Sequence, residues 1–296
     1  MGQAVRTGNA TGGRRGLGWL PDYSDLRDYT SGSEGVGQLL EKTAVPGLAA
    51  EKTPTSVDLR EWCSPVEDQG QIGSCTAQAG TGMLEYFERR AHGKHLDGSR
   101  RFLYKATRAL GGLEGDSGAF LRTTIGAMRL FGVPPEEFWP YSEEEFDVEP
   151  PAFCYAFAQS YQALRYYRLD PPGTGGAELL AAIKSHLASQ LPAMFGFTVY
   201  GSIAAAGEDG RIPFPVEGDN VEGGHAVMAV GYDDAVEVAN RDGATTGAIL
   251  IRNSWSEGWG ERGYGWLPYD YMLAGLASDW WVLLENEWVD TGEFRV

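Results

Sequence analysis

The hydrophobic period of this 296-residue chain changes at Pro192, and that change limits the fold more than any other feature. Upstream, apolar residues recur at helical spacing over residues 74–92 (Ala77, Leu84, Phe87), 99–110, 118–131 and 177–190, the last closed by Pro192. Downstream, short β-branched and aromatic runs at 192–200, 225–232, 247–253, 264–267 and 280–285 read as strands. A helical half followed by a strand-rich half predicts an α+β fold of two lobes, one about 70–165 and the other about 166–296, with a cleft between them.

The chemistry concentrates in Asp68-Gln69-Gly70-Gln71-Ile72-Gly73-Ser74-Cys75-Thr76. A side-chain amide, a glycine turn and a thiol stand here just ahead of a helix, whose positive N-terminal dipole favours the thiolate. A lone cysteine is more often a small buried apolar residue than a catalyst, so a base has to be found. Of the four histidines, His92 and His95 lie in a polar helix end, and His186 sits in a helix with no visible partner. His225 differs, because it follows Gly223-Gly224 and opens the strand run Ala226-Val227-Met228-Ala229-Val230. Asn253 ends another apolar run, where its side-chain oxygen can accept an imidazole N–H and fix the tautomer. Trp255 can cover that bond from water. Cys75, His225 and Asn253 have the residue types of nucleophile, base and orienting group.

In these segments the chain resembles the papain-like cysteine peptidases. That family carries Gln-Gly-x-Cys-Gly-Ser-Cys-Trp, then a Gly/Asp-His-Ala strand start, then Asn-Ser-Trp-x-x-x-Trp-Gly-x-x-Gly-Tyr. Gln69 to Thr76, Gly224-His225-Ala226, and Asn253-Ser254-Trp255 with Trp259, Gly260, Gly263 and Tyr264 follow in the same order. The resemblance runs in patches from about residue 54 to the end. It implies a two-lobe fold, a helical left lobe carrying Cys75 and a β-barrel-like right lobe carrying His225 and Asn253. It implies peptide-bond hydrolysis through a Cys75 thioester, His225 as acid and base, and Gln69 in the oxyanion hole. Gly73, Ser74, Gly118, Ala119, Gly224 and Trp255 are the expected substrate-binding residues, with a peptide or protein as substrate and neither cofactor nor metal. An acyltransferase or transpeptidase using the same chemistry, and a silent peptide-binding homologue, are the alternatives. The motifs do not reveal the specificity pocket, for which Tyr271, Ala274 and Ser278 are candidates.

The departures carry information. The family's cysteine three residues before the nucleophile is Ile72, and its disulfide partner in Gly-Cys-Asn-Gly-Gly is Asp116, so both halves of that bridge are replaced. The aromatic after the nucleophile is Thr76. Only Cys63 and Cys154 remain besides Cys75, and Cys63, flanked by Trp62 and Ser64-Pro65-Val66, reads as a buried thiol. With no apolar leader at the N-terminus, these features point to the cytoplasm. The net charge of −17, from 41 acidic and 24 basic residues, repels nucleic acid and anionic membranes, and no run is long enough to span a bilayer.

Residues 1–52 lie outside the resemblance, with 53–296 as the catalytic domain. The arm is rich in glycine, threonine and serine, yet residues 17–29 hold Trp19, Tyr23 and Tyr29, too many aromatics for a plain linker. It lacks the long helical pattern of a papain-type propeptide. Two readings stand: a short pro-segment or flap that covers the cleft as an intramolecular inhibitor, or a brace on the back of the domain.

Overall fold

The computed structural model describes residues 15–33, 36–37, 53–161 and 163–286; the remainder of the N-terminal arm and the last ten residues lie outside it. Helix α1 (Cys75–His92) runs through the middle of the molecule and is buried over most of its length. Small residues make that possible. A Cβ on Gly80 would stand 2.9 Å from the Met128 sulfur, and one on Gly82 would stand 2.6 Å from an Arg252 guanidinium nitrogen. Helices α2 (Arg100–Gly111) and α3 (Leu121–Leu130) pack against α1. Ser99 caps α2 by accepting from the Phe102 N–H, and Gly93 and Gly112 end α1 and α2 in the left-handed conformation. Helix α4 (Ala152–Ala158) completes the helical lobe.

The second lobe is an antiparallel sheet in the order β2 (Ala163–Arg168), β7 (Ala277–Asn286), β3 (Ala193–Tyr200), β4 (Val221–Asn240), β5 (Gly243–Arg252) and β6 (Tyr264–Pro268), with β1 (Ser56–Asp58) paired to β4. Helices α5 (Gly176–Ala188) and α6 (Asp270–Leu273) flank it. The sheet is open: β2 and β6 end the ladder without pairing to each other, so the expected barrel-like lobe is a curtailed one. The α+β architecture is as the change of period predicts, and the long helices and strands fall within a few residues of their expected limits except β4, expected over 225–232, which continues to Asn240. β1, β2 and α4 had no expectation, being short and without a clean period.

A buried ionic network fastens the lobes behind the cleft. Glu85 of α1 takes both oxygens to Arg100 of α2, at 3.0 and 2.9 Å, and also accepts from Ser64 Oγ and the Gly98 N–H. Ser64 in turn accepts from Arg252 at the end of β5, whose guanidinium also reaches the Pro65 carbonyl. Coulomb attraction to Arg100 and Arg252 keeps the Glu85 carboxyl below its usual range despite full burial, which alone would raise it. The helix that begins with Cys75 and the strand that leads to Asn253 are thus tied through one carboxylate.

Candidate active site

Cys75 is the first residue of α1, and the loop before it is held on three sides. The Gln69 side chain accepts from Ser254 Oγ and donates to the Ile72 carbonyl at 2.9 Å, while its backbone N–H bonds the Ser254 carbonyl at 2.9 Å. The Tyr141 hydroxyl donates to the Gln69 carbonyl at 2.9 Å and pairs with Ser74 Oγ at 2.7 Å. Asp116 Oδ1 accepts from the Gly73 N–H at 2.8 Å and from the Tyr104 hydroxyl at 2.6 Å. The position that resembles a disulfide cysteine therefore carries a carboxylate that pins the same loop through its backbone. Cys63, Cys75 and Cys154 are all free and buried, in keeping with the expectation for Cys63.

His225 lies near the start of β4, opposite Phe197 of β3. Its Nε2 donates to Asn253 Oδ1 at 2.8 Å, and the same oxygen accepts from the Ser254 N–H. An asparagine oxygen can only accept, so Nε2 carries the proton and Nδ1 is left as an acceptor. Nδ1 is buried and has no hydrogen-bond partner among the described residues. The neighbouring Ala226 N–H reaches Cys75 Sγ at 3.4 Å, so the start of β4 meets the sulfur at the head of α1. Trp255 stacks on the imidazole with centroids 4.6 Å apart, and Trp259 meets Trp255 edge-on.

The arm lies in this cleft. The Gly16 N–H donates to the Gly70 carbonyl, and the Gly16 carbonyl accepts from Gln69 Nε2, both at 3.1 Å. Gly18 lies against Gly73, two residues ahead of the Cys75 sulfur, and its backbone N–H opposes the rise of the thiol. Gly18 and Leu20 bracket Ala119: the Gly18 carbonyl accepts from the Ala119 N–H at 2.8 Å, the Leu20 N–H donates to the Ala119 carbonyl at 3.0 Å, and the Trp19 N–H donates to the Gly224 carbonyl at 3.1 Å. Gly118, with φ +74°, comes so close that a Cβ there would stand 2.3 Å from the Gly18 oxygen. Beyond Leu20 the arm is clasped by two arginines. Arg122 binds Asp22, the Tyr23 carbonyl and both oxygens of Asp28; Arg168 reaches the Asp22 carbonyl and lies 3.5 Å from Asp28. Tyr29 rests edge-on against Tyr166 and stays half exposed. Trp19 thus occupies the cleft, whereas Tyr29 braces the sheet edge.

Under this cover neither reactive group touches water. Burial pushes the Cys75 thiol up to about 11, against smaller opposing effects of the backbone N–H groups of Ala226 and Gly18. Burial also drives His225 down to about 4, with the Asn253 bond working weakly the other way. The covered pair is held neutral.

Of the expected binding residues, Gly73, Gly118, Ala119 and Gly224 line the path of the arm, and Trp255 sits over His225. The Ser74 side chain is buried and pairs with the Tyr141 hydroxyl. His186 is not without partners, since its Nε2 meets the Tyr167 hydroxyl and its Nδ1 the Ala182 carbonyl. Of the residues named for the specificity pocket, Ser278 pairs with Gly196 beside the pocket that receives the Trp19 side chain, but the residues that form that pocket were missed. Its walls are Gly196 and Gly224, and Asp279 Oδ2 accepts from the indole N–H at 3.2 Å. Tyr271 bonds the Pro213 carbonyl instead. Among the described residues no group of His, Cys, Asp and Glu could hold a metal, and no helix is long and apolar enough to cross a membrane.

The chain belongs to the papain family of cysteine proteases, whose sequence model matches residues 53–280. It is 34% identical over 224 residues to an uncharacterized peptidase C1-like protein of Acanthamoeba polyphaga mimivirus, covering 74% of this chain and 69% of that one. Chicken cathepsin K (Gallus gallus) is 29% identical over 239 residues, covering 77% of this chain and 64% of that protein. Among solved structures, xylellain, a cysteine protease from Xylella fastidiosa, superposes with a TM-score of 0.72 at 33% identity, over 95% of this chain and 98% of that one. The last span is too long to be confined to residues 53–296. The protein is a papain-like cysteine peptidase, a hydrolase whose substrates are peptides or proteins.

Proposed function

We propose that Cys75, His225, Asn253 and Gln69 carry the hydrolysis and that residues 16–20 inhibit it from within the same chain. The observation that carries the first part is His225 itself: Nε2 is committed to Asn253, and Nδ1 is left unbonded in the cleft that holds the Cys75 sulfur. In an open cleft the Cys75 proton passes to Nδ1, and the thiolate attacks the substrate carbonyl carbon. The developing oxyanion takes the Gln69 Nε2–H and the Cys75 N–H. His225 then returns the proton to the leaving amine as the C–N bond breaks, leaving a thioester that water hydrolyses with His225 as base.

The arm supports the second part by what it displaces. The Gly16 carbonyl takes the Gln69 amide that an oxyanion needs, and Gly18 lies against Gly73, two residues ahead of the sulfur. A substrate cannot enter while these contacts stand. The deciding experiment compares full-length protein with a form lacking residues 1–50, by peptide hydrolysis and by stoichiometric labelling with an epoxide inhibitor of thiol peptidases. Labelling and turnover that rise on deletion and vanish in Cys75→Ser are expected. Equal activity in both forms removes the inhibitory role, and absence of labelling in both removes the catalytic one.

A further inference from the structure

Both oxyanion donors hang on one short loop. The Gln69 amide precedes it and the Cys75 N–H follows it, with Gly70, Gln71, Ile72 and Gly73 ahead of Ser74. Gly70 adopts φ +66°, and a loop that is half glycine before Ser74 has little stiffness of its own. Oxyanion donors work only when they are fixed before the charge develops. Contacts from outside must supply that stiffness. Asp116 holds the Gly73 N–H, and the other contacts come from Tyr141 and Glu143.

The Tyr141 hydroxyl has one proton and the Gln69 carbonyl can only accept, so Tyr141 donates to Gln69 at 2.9 Å and accepts from Ser74 Oγ at 2.7 Å. The chain Ser74 to Tyr141 to Gln69 spans the loop, from the residue before the nucleophile to the residue that carries the amide. Gln69 and Ser74 are fully buried. Burial also raises the Tyr141 phenol above its usual value, so it stays a donor through the working pH range. Glu143 accepts the Gln71 N–H at 2.7 Å, and a Cβ on Gly70 would stand 2.0 Å from a Glu143 carboxylate oxygen.

The segment that carries these residues is itself tied to α2. Arg101 lies 4.1 Å over the Trp139 ring and binds Glu145 at 2.8 Å. Arg108 binds Asp147 and the Phe146 carbonyl, both at 2.9 Å, and Lys105 binds Asp147 at 2.9 Å. Both guanidinium groups are buried, so they grip in a fixed geometry that exposed ion pairs lack. The acidic run 143–147 is thus bound along its length to a basic helix face.

Resting on the peptidase reading above, we infer that residues 139–147 form a strap that sets the oxyanion hole, with Tyr141 and Glu143 as its positioning residues. They act through the loop: freeing either of its ends moves one donor relative to the other. Gln69 Nε2 already donates to an oxygen in this arrangement, that of Gly16. Because the hole is filled only as the oxyanion forms, its displacement lowers kcat and spares substrate binding.

The test uses the full chain with Gly18→Ala. Adding Tyr141→Phe should lower kcat roughly ten- to hundredfold with KM within about twofold. The inhibition constant of a peptide aldehyde should rise in step, since the oxygen of its hemithioacetal occupies the same hole. Exchange of Cys75 with dipyridyl disulfide forms no oxyanion, and its rate should stay within about twofold. Adding Ser74→Ala to Tyr141→Phe should cost little more, because the two hydroxyls act as one chain. Glu143→Ala, an exposed change, should lower kcat roughly two- to tenfold. Glu143→Gln should restore it, as its amide oxygen accepts the same N–H. A kcat unmoved by Tyr141→Phe, or kcat and disulfide exchange falling together, overturns the inference and leaves the peptidase reading standing. If Tyr141→Phe does not fold, Glu143→Ala decides: a kcat-selective loss restored in Glu143→Gln upholds the strap, and any other result overturns it. No turnover and no epoxide labelling in the Gly18→Ala parent overturns both readings.

Discussion

Gly18 lies against Gly73 so closely that a Cβ on Gly18 would stand 2.0 Å from the Gly73 carbonyl oxygen. Gly73 is the turn residue just ahead of Ser74-Cys75, and the Asp116 carboxylate holds its N–H. Two backbones meet here with no side chain between them.

Gly18→Ala should therefore lift the arm. Overpacking of this kind costs about 1–3 kcal/mol, which corresponds to a roughly five- to 150-fold larger open fraction. Peptidase activity of the full-length variant should rise by that factor, while its urea midpoint for the catalytic domain moves little. Unchanged activity would show that the arm does not control access.

Gln69→Ala, made in the Gly18→Ala background, removes the amide that now holds the Gly16 carbonyl. Loss of one oxyanion donor costs about 10²–10³-fold in kcat. The measurement is steady-state kinetics, with KM expected to change far less than kcat. A kcat within a factor of two of the parent strikes Gln69 from the mechanism.

The closed state has its own pH window. His225 falls from 6.5 to about 4 under the cover, so its contribution to closure is complete above pH 6.5 and is lost as pH falls toward 4. Cys75 rises from 9.0 to about 11, so its contribution is complete below pH 9 and is lost as pH rises toward 11. Asp279, raised by burial from 3.8 to about 6, favours closure at low pH and loses that effect as pH rises through 6, which blunts the acid limb. Alkylation of Cys75 by a neutral reagent should be slowest near pH 7–9 in the full-length protein. In Gly18→Ala the rate at pH 7 should be at least about tenfold higher, because a solvated thiol and imidazole can pair as ions.

Glu85→Ala leaves Arg100 buried without its carboxylate. Breaking a buried pair on one side costs about 3–5 kcal/mol, so the denaturation midpoint should drop sharply. A loss under 1 kcal/mol would mean that Asp97 and Glu67, both within 4 Å of Arg100, take over the charge.

The site was legible where chemistry and local period coincide. Cys75 at a helix start, His225 at a strand start and Asn253 at a strand end each follow from the few residues around them, and the structure brings all three to one cleft. Asp279 was not legible. Its role depends on a slip in the pairing of β3 with β7 and on Trp19, 260 residues away in the chain, and neither leaves a mark in a local window. Gly196 was hidden for the same reason, since a glycine in a strand run does not announce what fills the space beside it. The aromatic residues of the arm signalled that it docks, but only packing could separate Trp19, which enters the cleft, from Tyr29, which does not. Asp116 reads in sequence as a lost disulfide partner. In three dimensions it holds the same loop by hydrogen bonds, which no reducing agent can break.

Because the arm belongs to the chain it covers, its grip is measured against no free concentration. A tethered segment meets its site at an effective concentration on the order of millimolar, so a handful of glycine contacts, one indole and an arginine clasp suffice, at any dilution of the protein. A single backbone cut after the arm would leave its contacts to act without the tether. It would make the arm a dissociable peptide, and the extent of inhibition would then depend on how much protein is in the tube.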